Sequence, residues 1–125
     1  MKLLIVDDDM VFRMIASKMW MLVDSSVEIE ECENGEQGLA SLKKQKDLSQ
    51  KIVVLLDINM PVLDGWSFLE QIEENNFYNL SQLNIYIVSS SADERDVLKA
   101  KRFGFLKGFI QKPLSEEDIT AIIES

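Results

Sequence analysis

The chain has 125 residues and carries 13 Lys and Arg against 22 Asp and Glu, a formal net charge of −9, with no histidine and a single cysteine. That acidity argues against direct gripping of nucleic acid or of an anionic membrane, and a lone Cys32 excludes an internal disulfide and fits a reducing, cytoplasmic setting. Without histidine, Ser-His-Asp and Cys-His catalysis and thiolate–imidazole zinc sites fall away, and no apolar run approaches the ~20 residues that span a bilayer.

Short apolar runs alternate with amphipathic stretches five times. Lys2 to Asp7 reads as the first strand, and the first helix is predicted over about Met10 to Val23. Its stripe is Phe12, Ile15, Ala16, Met19, Leu22 and Val23, with Asp9 where an N-cap belongs. Val27 and Ile29 alternate with Glu28 and Glu30, the pattern of a half-exposed strand at a sheet edge. Asn34-Gly35 turns the chain into a second helix, about Gly35 to Lys46, burying Leu39 and Leu42. Ile52 to Leu56 is continuously apolar, as a strand covered on both faces must be.

Pro61 and Asp64-Gly65 interrupt the chain before a third helix with Trp66, Leu69 and Ile72 inward, and Asn75 to Leu83 reads as a polar loop. Ile85 to Val88 is the fourth strand, running into Ser89-Ser90-Ser91. The fourth helix has Asp93, Glu94 and Asp96 near its start and Lys99, Lys101 and Arg102 near its end, matching the helix dipole. Gly104 suits a left-handed stop. Gly108 to Gln111 is the fifth strand, and Ser115-Glu116-Glu117-Asp118 resembles a capping box for a last helix burying Ile119, Ile122 and Ile123. Strands alternating with helices at these connection lengths imply right-handed crossovers and a three-layer α/β domain around a mainly parallel sheet.

Three polar clusters follow apolar runs: Asp7-Asp8-Asp9, Asp57 and Lys112-Pro113. In open parallel sheets, ligands bind outside the carboxyl ends of the strands. Clustered carboxylates repel one another unless a cation joins them, and oxygen-only ligands suit a hard ion such as Mg²⁺, which also shares a substrate phosphate. An aspartate there can act as a nucleophile toward phosphorus, giving an aspartyl phosphate. Phosphoryl transfer needs its equatorial oxygens neutralised, and Lys112 and the Ser89 hydroxyl supply suitable groups from neighbouring strand ends.

Leu4-Ile5-Val6-Asp7-Asp8-Asp9, the segment from Leu55 through Asp57 and Pro61 to Gly65, Ile87-Val88-Ser89-Ser90-Ser91, and Ile110-Gln111-Lys112-Pro113-Leu114 together resemble a bacterial two-component response-regulator receiver domain over the whole chain, residues 1–125. The resemblance implies a (βα)5 flavodoxin-like fold with strand order 2-1-3-4-5. It also implies that Asp57 takes a phosphoryl group from a histidine of a sensor kinase or phosphotransfer protein. Carried over by position, Asp8 binds Mg²⁺ directly, Asp7 through water, and Asp57 and the backbone carbonyl of Asn59 complete the set. Lys112 pairs with the phosphoryl group, and its bond to Pro113 is cis in many relatives. Ser89, in preference to Ser90, is the switch hydroxyl and Phe109 the switch aromatic. Relatives commonly have Thr and Tyr there, so this switch lacks a β-branch and a phenol hydroxyl.

Asp9 reads as a cap and Asp64-Gly65 as turn chemistry. The implied output is a changed partner-binding face at helix four, strand five and helix five. The mixed charges Lys99, Lys101, Arg102 and Lys107 near Glu116, Glu117 and Asp118 make a homodimer through that face a further expectation.

Other readings fit less well. A phosphorylation-independent module would have lost Asp57 or Lys112. A phosphatase would need a general acid and a substrate-capping insertion, so substrate turnover is not expected, only slow self-hydrolysis of the phosphoaspartate. A dinucleotide carrier would need Gly-x-Gly-x-x-Gly after the first strand, where three acids stand. The pattern suits equally a single-domain regulator and the receiver portion of a longer one.

Overall fold

The structure is a computed structural model describing residues 1–45, 50–75, 82–91 and 93–125. Five strands and five helices alternate: β1 Lys2–Val6, α1 Met10–Val23, β2 Glu28–Cys32, α2 Gly35–Lys43, β3 Ile52–Leu56, α3 Gly65–Asn75, β4 Leu83–Ser89, α4 Glu94–Ala100, β5 Leu106–Gln111 and α5 Glu116–Glu124. The sheet is parallel throughout, in the order β2-β1-β3-β4-β5.

Alternation along the central strands divides the core in two. Leu4, Val6, Val54, Leu56, Ile85 and Ile87 pack with Leu39 and Leu42 of α2 and with Trp66, Phe68, Leu69 and Ile72 of α3. Leu3, Ile5, Val53, Leu55, Tyr86 and Val88 pack with Ala16 and Trp20 of α1 and with Ile119 and Ile122 of α5. Every residue of β1 and β3 is buried, whereas β2, at the edge, keeps two of its glutamates exposed and two residues half-buried. This is the contrast read from the continuous and the alternating apolar patterns.

The helix ends follow local chemistry. The Asp9 carboxylate accepts the Val11 and Phe12 N–H groups, Asn34 accepts from Gln37, and Asp93 from Arg95. Ser115 and Asp118 form a reciprocal capping box. Asp64 accepts the Ser67 N–H at 2.8 Å, which bears out its reading as turn chemistry.

Several expectations need correction. In α1 the buried face is Arg13, Ala16 and Trp20, while Ile15, Leu22 and Val23 are exposed. Apolar residues surround this helix, so periodicity alone gave a stripe too broad and turned to one side. Gly104 is not left-handed. The end of α4 instead closes with i to i−3 bonds from Lys101, Arg102 and Phe103 to Leu98, Lys99 and Ala100, which satisfy the free carbonyls without a left-handed residue. β4 and β5 begin two residues earlier than their apolar runs suggested, and Ile123 is only half-buried. The expected end of α2 at Lys46 and most of the polar loop from Asn75 to Leu83 lie outside the described residues.

Candidate phosphoacceptor site

Strand register assembles the site. Val6 pairs with Leu56 across β1 and β3, so Asp7 and Asp57 leave the sheet side by side. Ser89 pairs with Gln111 across β4 and β5, and the Lys112 N–H donates to the Ser89 carbonyl at 2.8 Å. Four strand ends thus deliver two acids, a hydroxyl and an ammonium to one edge, with Asp8 on the following loop.

Asp7, Asp8 and Asp57 each offer a carboxylate oxygen, all within 4.8 Å of one another. Asp7 and Asp57 are buried and Asp8 is exposed. Asp7 is tightly held. One of its oxygens accepts the Asp9 N–H at 2.9 Å and the other the Lys112 ammonium at 2.9 Å. Burial, reinforced by the charge of Asp7, pushes the Asp57 carboxyl up to about 6; Lys112 and the Asn59 N–H oppose the rise, and Asp8 adds to it. A cation bound among these carboxylates would relieve that repulsion. An all-oxygen set of three carboxylates fits a hard divalent cation.

Ser89 is fully buried at the end of β4, and its hydroxyl accepts the Ser91 N–H at 3.1 Å, whereas Ser90 is exposed. Strand alternation puts Ser89 on the face of Ile85 and Ile87, the face on which half-buried Phe109 packs. Asn59 lies exposed two residues beyond Asp57. The Lys112–Pro113 bond is cis.

Two contacts were missed from sequence. Arg13, 7% exposed, donates from Nη1 to the Asp7 carbonyl at 2.6 Å and from Nε to Glu31 at 3.2 Å. It ties α1 and β2 to the acidic loop; the available signal was a lone arginine inside an apolar helix. The Lys112 ammonium also lies 4.3 Å from the centre of the Phe12 ring. In sequence Phe12 belongs to the apolar stripe of α1, and nothing local links it to a residue 100 positions away.

A fold and a strand-end acid cluster of this kind define a class, and comparison agrees: the response regulator receiver domain matches residues 3–124, and the chain belongs to that family. It is a phosphoacceptor domain of two-component signalling. It is 29% identical to a probable chemotaxis protein CheY of Rhizobium etli over 99% of this chain and 90% of that protein. It is 30% identical to the sensor histidine kinase CheAY of Helicobacter pylori over 97% of this chain but 14% of the kinase. Among solved structures, the Vibrio cholerae chemotaxis protein CheY4 superposes with a TM-score of 0.78 at 25% identity, covering 98% of this chain and 95% of that one. The chain spans less than a third of the length of several curated relatives it matches.

Proposed function

We propose that Asp57 is the phosphoacceptor, that Mg²⁺ is held by Asp7, Asp8, Asp57 and the Asn59 carbonyl, and that the donor is a phosphohistidine of a sensor kinase or histidine phosphotransfer protein. The observation that carries this reading is the cluster of three carboxylates within 4.8 Å, with the Lys112 ammonium already hydrogen-bonded to one of them.

The Asp57 carboxylate attacks phosphorus. An O–P bond forms as the P–N bond to the donor imidazole breaks, and the electron pair and a proton end on that nitrogen. Mg²⁺, when bound, supplies positive charge to the carboxylates and to the oxygens of the phosphoryl group. Lys112 exchanges its Asp7 partner for a second phosphoryl oxygen, and the buried Ser89 hydroxyl turns from Ser91 to a third. The movement of Ser89 frees space on the sheet face where Phe109 packs, so Phe109 rotates and the surface of α4, β5 and α5 changes. Lys99, Lys101, Arg102 and Lys107 then meet Glu116, Glu117 and Asp118 of a second copy in a homodimer.

Residues 1–125 act as one receiver domain in the cytoplasm, with no substrate turnover beyond slow hydrolysis of the phosphoaspartate. Described helices include none long and apolar enough to cross a membrane. Incubation with acetyl phosphate and Mg²⁺ adds one base-labile phosphoryl group to the native chain and none to Asp57→Asn; equal labelling of the two contradicts the reading. Hydrogen exchange with beryllofluoride tests the output: protection unchanged from Ser89 to Ser125 removes the proposed face.

A further inference from the structure

The Lys112 ammonium has two electron-rich partners: the Asp7 carboxylate at 2.9 Å and the face of the Phe12 ring at 4.3 Å. Its side chain is 19% exposed, so little water competes for the charge. Phe12 is fixed in turn. It sits in the first turn of α1, where its own N–H is held by the Asp9 cap, and its ring packs against the core cluster beneath α1 and α5. Phe12 and Lys112 also line one groove of about 380 Å³ together with Ile15, Met19, Pro113 and Leu114. A flexible four-carbon ammonium would otherwise sample many rotamers and lose them when it engages a phosphoryl group.

We infer that Phe12 is a positioning residue for Lys112, its ring holding the ammonium at the edge of the acid cluster so that it meets the incoming phosphoryl group already ordered. This inference rests on the reading of Asp57 as phosphoacceptor and Lys112 as its counter-ion. The interaction is electrostatic, an ammonium on the negative face of a ring, so its strength follows the ring's quadrupole and not merely its volume.

The test is a double-mutant cycle on the affinity of the Mg²⁺-loaded protein for beryllofluoride, followed by ¹⁹F NMR, with Phe12→Leu and Lys112→Met alone and together. Phe12→Leu weakens binding about 3- to 10-fold in the native background and has no effect once Lys112 is Met. Replacing Phe12 with fluorinated phenylalanines of nearly constant size weakens binding stepwise with each fluorine, a trend that packing alone does not produce. Circular dichroism melts confirm that each variant is folded. Equal losses from Phe12→Leu with and without Lys112, or an affinity indifferent to fluorination, overturn the role of Phe12 and leave the phosphoacceptor reading standing. Failure of the native protein to bind beryllofluoride, or full binding by Lys112→Met, overturns the underlying reading as well.

Discussion

Substituting Asp57 with Asn should stabilise the metal-free protein, and only above a definite pH. Burial and the neighbouring Asp7 charge raise the Asp57 carboxyl from 3.8 to about 6. A rise of roughly two pKa units corresponds to about 3 kcal/mol. The sign follows from proton counting. Between pH ~4 and ~6 the folded chain holds a proton that the unfolded chain has released, so stability falls as pH rises through that window. Asn carries the same shape and no charge, and it escapes this loss. Thermal melts in EDTA should therefore show the two proteins nearly equal at the acid end of the window. At pH 7.5, Asp57→Asn should be ahead by about 2–3 kcal/mol, or roughly 10 °C for a domain of this size. Saturating Mg²⁺ should narrow the gap, because the cation relieves the native cluster more than the variant's. A gap that does not change with pH, or a native protein more stable than the variant at pH 7.5, would refute the electrostatic account.

Asp8→Ala should abolish the stabilisation by Mg²⁺, which for a cation at 100 times its Kd and bound only to the folded state is about 2.7 kcal/mol; an unchanged melting shift places the cation elsewhere. Val62, exposed in the loop after β3, has φ of 73°, a left-handed conformation that is costly for a β-branched residue. Val62→Asn should gain about 1 kcal/mol in urea unfolding, and a loss contradicts the strain. A Cβ on Gly65 would stand 2.5 Å from the Asp57 carbonyl oxygen and 2.7 Å from the Ile58 Cα. Gly65→Ala should therefore cost about 1–3 kcal/mol by forcing the loop aside, and a neutral result in urea unfolding means the loop yields freely.

The parts of the molecule legible from sequence are those governed by local rules. Continuous apolarity from Ile52 to Leu56 marked a strand covered on both faces, and the glutamates of β2 marked an edge. Caps at Asp9 and Ser115 were legible because each satisfies donors within three residues. Strand ends then located Asp7, Asp57, Ser89 and Lys112, since parallel register brings successive carboxyl edges together. The orientation of α1 was not legible. Met10, Val11, Met14, Ile15, Met21, Leu22 and Val23 all remain exposed, and apolar side chains around the full circumference carry no phase. Arg13 takes an inward position because the Asp7 carbonyl and Glu31 satisfy its guanidinium, a partnership that exists only after β1 and β2 pair. The Phe12–Lys112 contact likewise depends on where β5 ends relative to α1.

The central claim is that Asp57, and no other of the clustered acids, carries the phosphoryl group. An acyl phosphate is reduced by borohydride to the alcohol, so a phosphorylated aspartate becomes homoserine and can be located by peptide mass spectrometry. After treatment with acetyl phosphate and Mg²⁺, the account predicts homoserine at position 57 with Asp7, Asp8 and Asp64 unmodified. Homoserine at any of those three positions in place of 57, or none anywhere in a chain that has gained the phosphoryl mass, would contradict it.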